Sequence, residues 1–161
     1  MRIYLGGPMF TQADGEYNLR LATKLRNQGY SVYCPNESEP INDKTHTNVT
    51  AKMIYEFDIA ALEDANLLVC QVSEDSGTNW EAGYMDCLSR RVDPSRYYGI
   101  VGLATDMRLR SLPDLNRTGV DNQALHINAL VIGGLQSSLG VYLDQEALFA
   151  RLAEIRSERE S

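Results

Sequence analysis

The stretch Leu67-Leu68-Val69-Cys70-Gln71-Val72-Ser73-Glu74-Asp75-Ser76-Gly77-Thr78-Asn79-Trp80-Glu81-Ala82-Gly83-Tyr84-Met85-Asp86-Cys87 decides the fold. Its first six residues are a nearly continuous apolar run, the pattern of a strand buried on both faces in a parallel sheet. A turn of small and polar residues follows, and then a helical pattern over 79–90. Thr78 and Glu81 stand at capping-box spacing, in which the glutamate reaches back to the backbone amide of the cap residue. A second reading competes for the same side chain. Open α/β sheets bind their ligands outside the carboxyl ends of the strands. A glutamate in the first helical turn there sits at the positive end of the helix dipole, which favours the ionised form a nucleophile needs. A carboxylate folded back on its own helix cannot point into a cleft, so the rest of the chain must choose between the two.

Strand and helix signals alternate on either side of this unit. Residues 2–5 read as a first strand, ended by Gly6-Gly7-Pro8. Tyr17, Leu21 and Leu25 form one apolar stripe of a helix over 14–28, closed by Gly29. A second strand over 30–34 stops at Pro35, and 36–48 is polar connection. A helix over roughly 49–64 is expected to turn Ile54, Phe57, Ala61 and Leu62 inward. Residues 98–103 are a fourth strand. The connection over 104–127 carries Arg108, Arg110, Pro113, Asn116, Gly119 and Asp121, and so long a link in a compact domain is often functional, for instance a lid. A short helix over 128–135, a fifth strand over 140–143 and a final helix over 144–157, with Leu148, Leu152 and Ile155 inward, complete the chain.

This alternation predicts a single α/β domain over 1–161: a doubly wound, five-stranded parallel sheet of flavodoxin-like order 2-1-3-4-5, with helices on both faces. Its crevice lies between strands 1 and 3. The loops over 6–10 and 73–78 should therefore face each other, bringing the Tyr4 phenol to the Glu81 carboxylate.

Composition narrows the function. At 161 residues, with 43% hydrophobic and 23% charged side chains, the chain is long enough to bury a real core. Twenty-two acidic residues against fifteen basic ones leave a formal charge of −7, which argues against a nucleic acid polymer or an anionic membrane as partner. No apolar stretch is long enough to span a bilayer, and the first residues read as a strand instead of a signal peptide, so a cytoplasmic location is expected. Cys34, Cys70 and Cys87 form neither a disulfide framework nor a metal spacing, and His46 and His126 have no partner at ligand spacing. No metal and no cofactor is expected. Gly6-Gly7-Pro8-Met9-Phe10 is neither a dinucleotide fingerprint nor a Walker loop, though its glycines let a ligand lie against the backbone, with Phe10 as an apolar wall.

Ile3-Tyr4-Leu5-Gly6-Gly7-Pro8-Met9-Phe10, Asp58 ahead of a buried strand, Asp75-Ser76-Gly77-Thr78 with Trp80-Glu81 and Gly83-Tyr84, and Ile127-Asn128-Ala129-Leu130 together resemble the nucleoside 2-deoxyribosyltransferases, in the same order along nearly the whole chain. The resemblance implies an enzyme that moves 2-deoxyribose between nucleobases through a covalent glycosyl ester on Glu81. Tyr4 would orient that nucleophile, and Asp58 would give a proton to the departing base and take one from the arriving base, a task that asks for a raised pKa. By the same resemblance Gly7, Phe10, Gly77 and Leu130 would be the further substrate contacts. Asp75 would accept from a 5′-hydroxyl and repel a 5′-phosphate. Asn128 has an ordinary reading as a helix cap; by the resemblance it enters the neighbouring subunit's pocket in a homodimer or larger assembly. The base-reading residue falls somewhere in 36–39. Hydrolysis of nucleosides or nucleoside 5′-monophosphates by the same glutamate is the nearest rival, and a non-catalytic nucleotide sensor is the rival from another class.

Overall fold

The computed structural model describes residues 1–38, 48–109 and 127–160. His46, His126, Glu39 and most of the long connection lie outside the described residues. The elements are β1 (Arg2–Gly6), α1 (Gln12–Asn27), β2 (Ser31–Tyr33), a 3-10 turn (Pro35–Glu37), α2 (Ala51–Asp64), β3 (Leu67–Gln71), α3 (Ser76–Cys87) running into a π-helical turn (Leu88–Val92), β4 (Gly99–Leu103), α4 (Ala129–Ser137), β5 (Val141–Tyr142) and α5 (Gln145–Glu160). The sheet order is β2-β1-β3-β4-β5 and every pair is parallel, the flavodoxin-like order expected.

Every residue of β3 and β4 is buried, as their nearly continuous apolar character requires of strands covered on both faces. Alternation along the strands divides the interior into two layers. Tyr4, Leu68, Cys70 and Ile100 face Leu62 of α2, Ala82 and Met85 of α3, and Ile132 and Leu135 of α4. Ile3, Leu5, Leu67, Val69, Val101 and Leu103 face Leu21 and Leu25 of α1 and Leu148, Leu152 and Ile155 of α5. Register pairs Tyr4 with Tyr33 across β1–β2 and with Leu68 across β1–β3, so both phenols stand on the α2–α3 side of the sheet.

Two expectations change. Of the four side chains predicted to turn inward from α2, only Leu62 is fully buried; Ile54 and Phe57 are 37% and 43% exposed. The helix starts at the loop end of the sheet, so its first turns border a cavity, which Ile54 lines, and Phe57 rests against Tyr33 with ring centroids 6.4 Å apart. The capping box appears on a different helix. Thr11 and Asp14 form it at the start of α1, while Thr78 lies inside α3 and caps nothing.

Candidate active site

Asp75 is the cap of α3. Its Oδ2 accepts from the Thr78 amide at 2.7 Å and from the Thr78 hydroxyl at 2.6 Å. Thr78 is thereby consumed as a donor, the helix begins at Ser76, and Glu81 falls in the second turn instead of the first. Its carboxylate does not fold back on the helix. Tyr4 reaches up from β1 and donates its phenolic hydrogen to Glu81 Oε1 at 2.7 Å. Oε2 lies against the backbone of Gly6, where an added Cβ would come within 2.7 Å of it. A side chain at Gly6 would displace the carboxylate from this position.

The carboxylate borders a cavity of about 550 Å³, within the roughly 300–1,000 Å³ of small-molecule sites. Six of the predicted site residues line it: Gly7, Phe10, Asp58, Asp75, Gly77 and Glu81. Met9, Pro35, Asn36 and Ile54 also line it, and Phe10 at the mouth is 82% exposed. Of the described residues 36–38, Asn36 borders this space. Asn128 and Leu130 are not brought into the cavity of their own chain. Asn128 caps α4, its Oδ1 accepting from the Leu130 amide at 2.9 Å. Leu130 is 84% exposed and borders a separate cavity of about 270 Å³ between α3 and α4.

Burial, with the charges of Asp58 and Asp75 adding to it, pushes the Glu81 carboxyl up to about 7, against the opposing pull of the Tyr4 hydrogen bond. The expectation that the helix dipole keeps this group ionised does not hold, because the dipole acts within the first turn and Glu81 lies beyond it. Burial also raises the Asp58 carboxyl, opposed by the nearby Tyr33 and Tyr4 hydroxyls. The Tyr4 phenol is held far above its ordinary range by burial and by the charges of Glu81 and Asp58, so it stays a donor at any working pH. Both carboxyls are thus held above their ordinary range, and for Asp58 that is the direction acid–base work on a leaving group requires. Among the described residues no group of three or more His, Cys, Asp or Glu side chains could hold a metal ion, and no helix is long and apolar enough to cross a membrane.

Sequence reasoning missed Tyr33. Its ring centroid stands 5.1 Å from that of Tyr4, and its hydroxyl is 3.0 Å from Ser38 Oγ. Burial pushes its phenol up to about 12. Strand alternation held the signal, since Tyr33 pairs with Tyr4 in register and shares its face.

A family model described as nucleoside 2-deoxyribosyltransferase matches residues 3–130. No curated protein sequence matches the chain. Among solved structures, a conserved protein from Enterococcus faecalis V583 is similar over 96% of this chain and 98% of its own, at 26% identity and a TM-score of 0.73. A 2-desoxiribosyltransferase from Leishmania mexicana is similar over 95% and 97%, at 20% identity and a TM-score of 0.62. A CMP N-glycosidase from Clostridium botulinum, BcmB, is similar over 96% and 98%, at 13% identity and a TM-score of 0.53. The last two share the fold. With the family model spanning both loops of the crevice, α2 and the Asp75–Glu81 turn, the chain belongs to the nucleoside 2-deoxyribosyltransferase family.

Proposed function

We propose that this protein exchanges nucleobases on 2-deoxyribose, acting as one domain and with Glu81 as the nucleophile. The Glu81 carboxylate attacks C1′, the bond from C1′ to the base nitrogen breaks, and its electron pair leaves with the base, which takes a proton from Asp58. An incoming base nitrogen then attacks C1′ from the side the first base left. The glycosyl ester bond breaks, the carboxylate is regenerated, and the proton carried by the incoming base nitrogen passes to Asp58. Two displacements at one carbon retain configuration, the logic of retaining glycosidases with a nitrogen acceptor in place of water. Tyr4 holds one carboxylate oxygen throughout, steadying the nucleophile before attack and the leaving carboxylate afterwards.

The observation that carries this reading is the Glu81 carboxylate bordering an open cavity and held by Tyr4 instead of by its own helix. Asp75 supports an unphosphorylated 5′ end. One of its oxygens already serves Thr78, while the side chain still borders the cavity, where it would accept from a hydroxyl and repel a phosphate. Asn128, exposed at the start of α4, fits contribution to a neighbouring subunit's cavity in a homodimer or larger assembly, and a cytoplasmic location fits a nucleoside-salvage role.

Hydrolysis of the same bond is the second reading, favoured by the exposed mouth at Phe10, through which water can reach C1′. Incubation with deoxyadenosine, with and without a second base, separates the two. Appearance of the exchanged nucleoside supports transfer, and equal free sugar under both conditions supports hydrolysis. Trapping with a 2-fluoro deoxynucleoside followed by mass analysis tests the covalent step; sugar attached anywhere but Glu81 overturns the assignment.

A further inference from the structure

Beneath the cavity, on the α1 side of the loop after β1, lies a buried amide cluster that the chemistry above does not use. Asn18 of α1 is 3% exposed and Gln71, at the end of β3, is 6% exposed. Gln71 donates through Nε2 to Asn18 Oδ1. Asn18 Nδ2 donates one hydrogen to the Pro8 carbonyl at 2.9 Å and the other to Asn36 Oδ1 at 2.8 Å. The Asn18 amide thus spends its acceptor and both of its hydrogens on partners from three separate segments. Gly7 closes over the cluster, since a Cβ there would collide with the Gln71 amide.

The two segments that hang on Asn18 are the loop bearing Gly7, Met9 and Phe10, and the turn bearing Pro35 and Asn36. Together they supply Gly7, Met9, Phe10, Pro35 and Asn36 to the lining of the cavity that Asp75 and Glu81 also border. Neither segment belongs to a long helix or strand, and both leave the sheet at its carboxyl edge, where few ladder bonds constrain them. Asn18 does not itself border the cavity and cannot touch a reacting atom.

We infer that Asn18 is a positioning residue that clamps the Gly7–Phe10 loop to the Pro35–Glu37 turn, with Gln71 fixing its amide orientation, so that this part of the cavity lining is already formed when substrate arrives. A lining formed only part of the time lowers apparent affinity in proportion to the fraction of competent molecules and leaves the chemical step of the bound complex alone. The inference rests on the proposed transfer reading for its kinetic arm but not for its structural one.

The test uses Asn18→Leu, which keeps side-chain volume and strands all three partners, and Gln71→Met, which removes a single bond and is the milder variant should the first fail to fold. Hydrogen exchange is measured without substrate on both variants and wild type. The amides of Gly7, Met9, Phe10 and 36–38 should exchange about tenfold faster, the scale of a buried hydrogen bond left unmade, while those of α5 stay unchanged. Base-exchange kinetics should show KM raised by about tenfold for Asn18→Leu and less for Gln71→Met, with kcat within about threefold of wild type, the pattern of lost pre-formation. Unchanged exchange in both segments, or faster exchange spread evenly over the whole protein, overturns the clamp whatever the enzyme's reaction. A fall in kcat at constant KM overturns it as well. Absence of base exchange by the wild-type protein counts against the transfer reading alone, because the hydrogen-exchange arm still decides the clamp.

Discussion

Replacing Glu81 by glutamine should make the protein more stable above neutral pH while removing its activity. Burial beside Asp58 and Asp75 lifts the carboxyl from 4.5 to about 7, so folding forces a group that is charged in the unfolded chain at neutral pH into surroundings that prefer it protonated. At about 1.4 kcal/mol per tenfold change in proton affinity, the ionised side chain costs the folded state ~3 kcal/mol once the pH exceeds both values. The sign follows from proton counting. Between about pH 4.5 and 7 the folded protein holds a proton that the unfolded chain has lost, so stability falls as pH rises through that window and is level above it. Glutamine keeps the shape and an acceptor oxygen for Tyr4 and carries no charge. Urea unfolding of wild type and Glu81→Gln from about pH 4 to 8.5 should give near-equal stabilities at the acid end and an advantage of ~3 kcal/mol for the variant at the alkaline end. A difference that does not vary with pH, or a variant less stable than wild type at pH 8.5, refutes the reasoning. The same ionisation should govern turnover: kcat/KM of the wild type should climb through about pH 7 on its acid side, because only the charged carboxylate attacks carbon.

Tyr4→Phe removes the hydrogen bond that holds the Glu81 pKa down, so the acid limb of the pH–rate profile should move to higher pH; a limb that stays in place detaches Tyr4 from the nucleophile. Asp58→Asn should slow release of poor leaving bases by roughly the 10²–10⁴-fold typical of a lost general acid, whereas an unchanged rate with adenine nucleosides takes Asp58 out of the proton-transfer role. Asp75→Ser should shift preference towards 5′-phosphorylated substrates by about tenfold or more while leaving melting little changed, since serine is also a good helix cap. Kinetics on a nucleoside and its monophosphate, paired with thermal melting, read both halves, and an unaltered preference removes Asp75 from the 5′ contact.

The fold was written in the alternation of patterns. Nearly continuous apolar runs at 67–72 and 98–103 read as doubly covered strands because no polar face had to be spared for water, and α5 turned its predicted Leu148, Leu152 and Ile155 inward. Register then followed from topology: once strands 1 and 3 were neighbours, Tyr4 and Glu81 had to meet, and they do at 2.7 Å. The start of α3 was misread because Asp75 and Thr78 are both good cap residues at spacings that permit either choice, and local propensity cannot rank two candidate caps three positions apart. The side chains of α2 were misread because an amphipathic stripe gives direction around the axis but not where along it the sheet ends and a cavity begins.

Taken alone, the sequence determined which residue types stand at the carboxyl ends of the strands, and therefore which chemistry was within reach. The tertiary structure decided the protonation of that chemistry and the support beneath it. The Glu81 carboxyl is pushed up to about 7 because α2, β1 and α3 converge to bury it and set Asp58 and Asp75 beside it. Asn18 matters because Pro8, Asn36 and Gln71 arrive from three distant points of the chain. Burial and convergence are properties of packed elements, and no local pattern of residues encodes either one.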